Sequence, residues 1–205
     1  MRILAIETAT EACSVALFEG ETLVDARHEV LGRGHAERLV PMIADLAGQG
    51  RAEKVRVSLG PGSFTGVRIG LAVARALGIA WNAEVRGYPT LALVAALARE
   101  QTSGPLTVCM NGGHGQWFVQ NFNADGTEQS PAESLTPEDA AAGRVHADIA
   151  GNRANELAAL VYDGKARPHH FLPDARHALQ LPASLLTSDL SPVYGRAPDA
   201  KVPAR

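Results

Sequence analysis

The chain has no surplus of positive charge. Its 205 residues include 19 Lys and Arg against 22 Asp and Glu, and the formal net charge at pH 7 is −3. Proteins that hold nucleic acid by themselves usually carry a basic surplus, because contacts with phosphates supply most of the affinity. The composition therefore argues against tight autonomous binding of RNA or DNA.

Cysteine and long hydrophobic runs are scarce as well. The two cysteines, Cys13 and Cys109, lie in apolar segments, where cysteine behaves as a small hydrophobic residue. No apolar run approaches the roughly 18 residues that a membrane span requires, and Glu7 comes too early for the core of a signal peptide. We therefore expect a cytoplasmic protein in a reducing compartment, without a membrane partner.

The length allows one large domain or two small lobes, at roughly 100–200 residues per domain. Strand-like and helical periodicity alternate along the first hundred residues, and a second hairpin pattern follows the loop at 101–105. Antiparallel hairpins followed by strand–helix alternation predict an α/β fold with mixed sheets covered by helices. We predict strands at 2–7, 13–18, 22–30, 55–59, 85–87, 106–111, 116–122 and 147–151, and helices at 34–47, 65–81, 90–100, 136–142 and from 174.

These patterns predict an N-terminal lobe of residues 1–103, a smaller C-terminal lobe of residues 104–190 and a mobile, proline-containing tail of residues 191–205. Glu7 precedes Phe18 by eleven positions, and Asn111 precedes Phe122 by the same spacing. An internal duplication would produce this match, and so would two unrelated hairpins of equal length.

The strongest local signal is the glycine-rich turn GPGSFTGVR at residues 60–68, between a predicted strand and a predicted helix. Glycines at such a place let backbone N–H groups approach an anion at the helix N-terminus. The turn lacks the Lys-Ser/Thr pair of a Walker loop and the flanking glycines of a nucleophile elbow. A phosphate-facing turn and a tight turn that lets strand and helix pack explain the pattern equally well. The candidates for contact with phosphate are Gly60, Gly62, Ser63, Thr65 and Gly66.

Thr8 and Thr10 lie at the tip of the first predicted hairpin, where short hydroxyl side chains could hydrogen-bond a phosphate. The simpler interpretation, which the residues alone favour, is a turn in which both hydroxyls bond to nearby backbone. Thr8 and Thr10 are therefore also candidates for contact with phosphate, and the turn interpretation explains them without a ligand.

Small residues recur every four positions along the helix after the glycine-rich turn, at Gly66, Gly70, Ala74 and Gly78. The two interior glycines, Gly70 and Gly78, should together cost about 2 kcal/mol relative to alanine. Close approach of another backbone would offset that cost. This backbone belongs either to the chain's own sheet or first helix, which is the simpler interpretation, or to a helix of another subunit.

The seven histidines show no metal-binding pattern. No two of them are spaced i and i+4 on a predicted helix. One group could be placed around a metal ion, but Pro173 interrupts the geometry that this requires; its members are His170, Asp174 and His177. Spacing supports no Ser/His/Asp triad either, since such triads are recognised by geometry. We therefore predict neither metal ligands nor catalytic residues.

Two segments, residues 1–16 (MRILAIETATEACSVA) and 59–71 (LGPGSFTGVRIGL), closely resemble the TsaB (YeaZ) family of bacterial tRNA threonylcarbamoyladenosine biosynthesis. Residues 35–43 and 90–95 fit the family as well, and PVYGR at 192–196 resembles its Pro-x-Tyr-x-Arg ending. The resemblance implies an actin-like ATPase fold (ASKHA, RNase H-like) with two related lobes, the second of them reduced.

The resemblance also implies a role without catalysis. TsaD-like transferases place a threonylcarbamoyl group on N6 of the adenosine beside the anticodon in tRNAs that read ANN codons, and they hold a metal with a His-x-x-x-His pair. The matching stretch here, residues 87–94, contains no histidine, so metal-assisted transfer has no site. The resemblance therefore implies a scaffold that dimerises with a TsaD-like transferase, helps recruit a TsaE-like ATPase and meets tRNA only through the complex.

The resemblance further implies ATP or ADP only at the assembled complex. A separate hypothesis for the chain alone is a homodimer in which the helices at 34–47 and 65–81 associate with a second copy. Two departures from the family pattern concern the nucleotide. Glu7 stands where the family commonly has aspartate, and residues 111–116 (NGGHGQ) lack the carboxylate and the arginine of the family's second hairpin. The second departure weakens the case for a nucleotide role of the second lobe.

The helices at 34–47 and 65–81 form the predicted partner interface. Its residues on the first helix, off the predicted core stripe, are His35, Arg38 and Met42, and those on the second are Gly66, Gly70, Ala74 and Gly78. The alternative function is a stand-alone ATP-dependent enzyme of the actin-like superfamily or a glycoprotease-like peptidase. A kinase needs a base and carboxylates for Mg²⁺ at converging loops, and Glu7 is the only candidate in the first lobe.

Overall fold

The computed structural model describes residues 1–161 and 164–195, which form an α/β fold on two five-stranded sheets. The first half of the chain contains strands β1 (Arg2–Glu7), β2 (Ala12–Glu19) and β3 (Thr22–Val30), helix α1 (His35–Ala44), strand β4 (Lys54–Ser58), helix α2 (Phe64–Trp81), strand β5 (Glu84–Tyr88) and helix α3 (Thr90–Ala98). The second half contains strands β6 (Leu106–Gly113), β7 (Gln116–Phe122) and β8 (Glu133–Leu135), helix α4 (Pro137–Ala142), strand β9 (Asp148–Ala150), helix α5 (Ala154–Leu160) and strand β10 (Arg167–His169). Short 3-10 helices lie at Ala47–Gly50, Ala175–Gln180 and Ala183–Leu185.

Both sheets have the same topology. The first has the strand order β3-β2-β1-β4-β5 and the second the order β8-β7-β6-β9-β10. In each sheet the first three strands in sequence pair antiparallel, and the last two run parallel to the first. The equal spacing of the two hairpins therefore reflects a repeated structural unit. This repeat confirms the predicted actin-like fold of two related lobes, and the three-residue strands β8, β9 and β10 account for the reduced second lobe.

The first sheet is covered on both faces, which explains the near-continuous apolar runs of β1 and β2. Helices α1 and α2 cover one face, and α3 with the 3-10 helix Ala175–Gln180 covers the other. Almost all of α3 is buried, because it also packs against the second sheet. One hydrophobic cluster thus runs from Phe18 of the first sheet to Phe122 of the second.

The C-terminal part of the chain returns to the first sheet. The helix predicted from residue 174 is a 3-10 helix, and the backbone N–H of Ala175 donates to Oγ of Ser14 at 3.0 Å. Farther along, the N–H of Val193 donates to the carbonyl of Leu59 at 2.8 Å. This contact corrects the prediction of a mobile tail for residues 191–195, whereas residues 196–205 lie outside the described part of the chain.

Three elements have no counterpart in the sequence prediction: β8, α5 and β10. None is longer than seven residues. A segment of that length contains too few residues for a hydrophobic period to be recognised. The secondary structure of these three segments therefore depends on the elements against which they pack.

Helix α2 is apolar along its whole length. By length and composition alone this 18-residue helix could cross a membrane, with a mean hydropathy of 1.3, which corrects the expectation that the sequence contains no such run. In the fold it packs against β4 and β1, yet only 28% of its residues are buried. The remaining residues of α2 are partly or fully exposed, so its outer side presents small and aliphatic side chains to solvent.

Candidate functional site

The turn between β1 and β2 packs directly against the glycine-rich turn and the start of α2. Oγ1 of Thr8 donates to the backbone carbonyl of Gly66 at 2.8 Å, and the backbone N–H of Ser63 donates to the carbonyl of Ala9 at 2.6 Å. The two segments that the sequence singles out therefore meet. They do so at the carboxyl ends of the parallel strands β1 and β4, the edge at which open α/β sheets bind ligands.

Glycine is required in this turn because protein atoms occupy the space where side chains would stand. A Cβ at Gly62 would overlap the carbonyl oxygen of Ala9, and a Cβ at Gly66 would overlap that of Thr8. A Cβ at Gly70 would overlap the hydroxyl of Thr8. Of the two interpretations that the sequence leaves open, these contacts favour the tight turn that lets strand and helix pack.

Several polar groups of the two turns are engaged within the chain. The N–H of Ser63 bonds to Ala9, and the N–H of Gly66 donates to Oγ of Ser63 at 3.2 Å, so this serine caps α2. Oγ1 of Thr10 accepts a hydrogen bond from the N–H of Ala12 at 3.2 Å. The hydroxyls of Thr8 and Thr10 and the N–H of Gly66 are thus engaged within the chain, which favours the structural interpretation at these three positions. Contact with phosphate by Gly60, Gly62 and the exposed Ser63 and Thr65 stays a prediction.

Glu7 ends β1 and is fully buried behind the turn. Its Oε1 accepts hydrogen bonds from the N–H of Ala9 at 2.7 Å and from the hydroxyl of Ser58 at 2.8 Å. Its Oε2 has no hydrogen-bond partner among residues 1–161 and 164–195. Burial is the main reason why the pKa of Glu7 rises from 4.5 to about 7. The hydrogen bonds lower this pKa, and the negative charge of Asp174 contributes to its rise. A catalytic base must reach its substrate, and this carboxyl does not reach the surface.

Replacing Glu7 with glutamine should make the stability of the protein less dependent on pH. Because the carboxyl has a higher pKa folded than unfolded, its stabilising contribution is complete below about pH 4.5 and is lost as the pH rises through about 7. At about pH 8 the Glu7→Gln variant should exceed the wild type in unfolding free energy by about 3 kcal/mol, and at about pH 5 by much less. Urea unfolding at both pH values measures this, with the exposed Glu21→Gln as control. An equal difference between wild type and Glu7→Gln at both pH values would contradict the expectation.

The tips of the two hairpins are joined through Asn152, which the sequence analysis did not single out. Its Oδ1 accepts from the backbone N–H of Asn111 at 2.8 Å, and its Nδ2 donates to Oε1 of Glu11 at 2.8 Å. The second hairpin is therefore joined to the first through the side-chain amide of Asn152 and the carboxylate of Glu11. No pattern in the sequence marks Asn152, because it follows a strand of only three residues.

Residues 187–195 form a strap that passes from the first sheet to the second. The backbone of Thr187 pairs with Gly87 of β5 at 2.8 and 3.0 Å. At the other end, Gly195 lies so close to the ring of Phe118 and to Pro61 that a Cβ there would overlap the ring. The strap thus occupies the space between the glycine-rich turn and the second sheet.

The structure buries residues that the sequence analysis places at the partner interface on α1. His35 is 7% exposed and Met42 is fully buried, and Nε2 of His35 lies 3.2 Å from the carbonyl oxygen of Ala12. Arg38 is partly exposed and bonds to both carboxylate oxygens of Glu29. The prediction that His35 and Met42 are available for contact is wrong, because α1 lies on β2 with these side chains inward.

The small residues of α2 also face the chain's own sheet. Gly66, Gly70 and Ala74 are buried, and a Cβ at Gly78 would lie 2.5 Å from the side chain of Val85 on β5. These glycines let α2 approach β1, β4 and β5 closely, which is the simpler of the two interpretations above. The prediction of a flat partner surface at these four positions is therefore corrected.

A different face of the same two helices is exposed and apolar. Ile79 of α2 is 86% exposed and Val40 of α1 is 54% exposed. Val40 lies on the flank of α1 opposite Arg38, because helical residues two apart point in nearly opposite directions. Since α1 and α2 contact each other, these side chains belong to one surface. We call this surface the outer face; its exposed members are Ala36, Val40, Ala44, Ala72, Ala76 and Ile79.

Within residues 1–161 and 164–195, no group of three or more His, Cys, Asp or Glu side chains is arranged to hold a metal ion. The group considered in the sequence is engaged otherwise. Asp174 bonds to Arg176, and Nε2 of His177 lies 3.1 Å from Oε1 of Glu100.

Comparison with known proteins connects these features to tRNA modification. The model of the family described as "TsaD: tRNA N6-adenosine threonylcarbamoyltransferase" matches residues 27–177. The chain is 43% identical over 100 residues to the tRNA threonylcarbamoyladenosine biosynthesis protein TsaB of Escherichia coli, and 32% identical over 105 residues to that of Bacillus subtilis. These alignments cover 46% and 48% of the chain, and it spans less than half the length of the two relatives, 43% and 45%. An uncharacterized protein of Mycobacterium tuberculosis is 32% identical, with 97% of the chain and 93% of that protein covered.

Solved structures show the same architecture over nearly the whole chain. YeaZ from Pseudomonas aeruginosa superposes with a TM-score of 0.75 and 27% sequence identity, and the match covers 94% of the chain and 99% of that protein. A second structure, of a protein from Pseudomonas aeruginosa described as similar to peptidase YeaZ, gives a TM-score of 0.76 and 28% identity, with 95% and 99% covered.

Proposed function

The chain belongs to the TsaB (YeaZ) branch of the TsaD-like family, and on this premise we propose that it is a non-catalytic subunit that activates a TsaD-like transferase. The reaction it serves is transfer of a threonylcarbamoyl group to N6 of the adenosine next to the anticodon in tRNAs that read ANN codons. Its own contribution is a binding surface that holds the transferase in an active arrangement.

The observation that carries this proposal is the outer face. Its members are small or aliphatic, and they lie on two adjacent helices whose inner sides are already packed on the sheet. A surface of this kind is costly to leave in water, at about 25 cal/mol per Å² of apolar area, and burying it against another protein recovers that free energy. The partner therefore docks on α1 and α2, as the family resemblance implies, through the outer face rather than through the buried residues.

The chemistry of the remaining site supports a role without catalysis. The carboxyl of Glu7 is sealed inside the fold, and the glycine-rich turn is packed against Thr8 and Ala9. The first-lobe carboxylate that the sequence offers as a base is therefore withdrawn from the surface, and the glycine-rich turn packs against the chain's own backbone. Both features argue against the alternative of a stand-alone ATP-dependent enzyme or peptidase.

Further partners and ligands belong to the assembled complex. A TsaE-like ATPase joins it, ATP or ADP binds there, and tRNA contacts this chain only as part of it, since the net charge of −3 does not favour RNA binding by the chain alone. The complex works in the cytoplasm. Without the transferase, two copies of the chain associate through the same outer face.

Reconstitution with purified components tests the proposal. The chain alone should modify no tRNA, and the TsaD-like transferase with its ATPase partner should be at least about 10-fold less active without the chain than with it, because binding organises the transferase. Mass spectrometry of digested tRNA measures the modified adenosine, and sedimentation with and without the transferase measures the exchange from homodimer to heterodimer. Turnover by the chain alone, or full activity of the transferase in its absence, would overturn the proposal.

A further inference from the structure

The edge of the outer face carries two arginines that pair with no carboxylate in the described part of the chain. Helix α2 contains no acidic residue, and its two basic residues are Arg68 and Arg75. Seven residues separate them, which places them about 10 Å apart along the helix axis on the same side. Among the described residues 1–161 and 164–195, neither forms an ion pair.

The strap holds both guanidinium groups in place with neutral acceptors. Nη2 of Arg68 donates to the hydroxyl of Tyr194 at 2.7 Å, and Nη2 of Arg75 donates to the carbonyl of Leu190 at 2.9 Å. The guanidinium of Arg68 also lies over the ring of Phe64, with Cζ 3.3 Å from the ring centroid. Both arginines are thus oriented without losing their positive charge, and a partner that binds them has less side-chain entropy to remove.

Several arginines elsewhere in the chain are instead paired with carboxylates. Arg38 on the neighbouring helix bonds to Glu29 through two nitrogens. The others are Arg2, Arg27, Arg86, Arg153, Arg167 and Arg176. The side of α2 next to the strap therefore presents two oriented positive charges beside an apolar surface, with the half-exposed rings of Phe64 and Tyr194 at one end.

We propose that the protein docking on the outer face carries acidic residues at its own edge, which pair with Arg68 and Arg75. An apolar centre with a charged rim is the usual composition of a protein–protein interface, and Arg and Tyr are enriched among residues that dominate binding energy. Docked carboxylates would meet each guanidinium with free N–H donors in the fork geometry that suits them. The inference rests on the proposed function, because it assumes that a partner covers the outer face.

RNA phosphate is the other ligand of matching charge, and the surroundings do not favour it. Phosphate backbones are bound by dense clusters of Lys and Arg, whereas this edge offers two arginines beside the aliphatic Ala72 and Ile79. Acidic side chains on a partner protein satisfy both the charge and the apolar neighbourhood.

The test compares charge reversal with an apolar disruption, using the full chain and the TsaD-like transferase. The double variant Arg68→Glu/Arg75→Glu should bind the transferase about 30-fold more weakly than wild type at about 50 mM NaCl, mainly through slower association, and much of the difference should vanish at about 500 mM. Arg68→Gln/Arg75→Gln should show a smaller loss in the same direction. The control Arg51→Glu/Arg144→Glu makes the same charge change at two exposed arginines that lie away from α2.

Each outcome has a distinct meaning. If both double variants at 68 and 75 bind like wild type while Ile79→Glu does not bind, a partner covers the outer face but its edge is not acidic, and the inference fails alone. If Ile79→Glu binds normally as well, the proposed interface itself is wrong. Loss of tRNA crosslinking with unchanged affinity for the transferase would assign the arginines to RNA phosphate and overturn the inference. Thermal melting of each variant confirms that the strap and the fold are intact.

Discussion

Substitution of Ile79 by glutamate is expected to abolish binding of the TsaD-like transferase and, with it, activation of tRNA modification. Ile79 is 86% exposed in the isolated chain, and it projects from the outer face about one helical turn beyond Ala76 and about two turns beyond Ala72. In a docked complex its side chain would lie in the apolar centre of the contact, where a desolvated carboxylate is costly. We expect the affinity to fall by about 100-fold or more, or about 3 kcal/mol.

The fold of the Ile79→Glu variant should be unaffected. The side chain makes little contact within the chain, and glutamate is a good helix former at an exposed position. Val30→Glu is a matched control, because Val30 is also an exposed β-branched residue, at 63%, and lies at the end of the edge strand β3. Calorimetric titration of each variant with the transferase measures affinity. If Ile79→Glu and Val30→Glu weakened binding equally, the outer face would not be the docking surface.

Substitution of Gly66 by alanine is expected to destabilise the fold strongly, although alanine usually stabilises a helix by about 1 kcal/mol relative to glycine. The added methyl would overlap the carbonyl oxygen of Thr8 and push the β1–β2 turn away from α2. That movement would also break the hydrogen bond from Oγ1 of Thr8 to the carbonyl of Gly66. Overpacking and the lost buried hydrogen bond should together cost about 3 kcal/mol.

Thermal unfolding measures the effect of Gly66→Ala, and a cost of this size in a chain of this length corresponds to a fall in Tm of roughly 6–12 °C. Two other glycine-to-alanine substitutions serve as controls for the change in unfolding free energy. Gly104 has no atom within 4 Å of its Cβ position, so Gly104→Ala should change the unfolding free energy by less than about 0.5 kcal/mol. Gly78→Ala should fall between the two, because the obstacle at Gly78 is the side chain of Val85, which can move, rather than backbone. A Gly66→Ala variant as stable as wild type would mean that the β1–β2 turn yields without cost.

The strap lies beside both the glycine-rich turn, which contains Gly66, and helix α2, which contains Ile79. Its contacts with Leu59 and Phe118 hold the turn from the side opposite Thr8 and Ala9. Its contacts with Arg68 and Arg75 orient the edge of the outer face. The strap thus contacts the glycine-rich turn on one side of α2 and, in the proposed complex, supports partner recognition on the other.

Local patterns in the sequence were sufficient for the fold. The hairpins, the long helices and the strand before the glycine-rich turn all follow from hydrophobic periodicity and turn residues, because each contains enough residues for a period to be recognised. The equal spacing in the two hairpins pointed to a repeated unit, and the two sheets have the same strand order. The resemblance to a known family rested on the same segments.

Which side of each helix faces the core could not be predicted in this way. For α1 the periodicity favours a core stripe containing Ala36 and Val40, yet both are exposed and His35 and Met42 lie inward. A helix with an apolar outer face as well as an apolar inner face has hydrophobic residues on more than one side. Hydrophobic periodicity then does not identify the side that is buried in the core. The spacing of small residues on α2 had the same ambiguity, since close packing on a sheet and close packing on a partner require the same side chains.

The amino-acid sequence by itself thus determined the architecture, the repeated hairpin and the position of the glycine-rich turn, because these depend on residues that are close together in the chain. Only the tertiary structure decided which side of α1 and α2 remains open and that Thr8 and Ala9 pack against the glycine-rich turn. It also placed the strap next to Arg68 and Arg75, more than a hundred residues away in sequence. These features depend on contacts between distant segments, and hydrophobic periodicity within one segment carries no information about what packs against it.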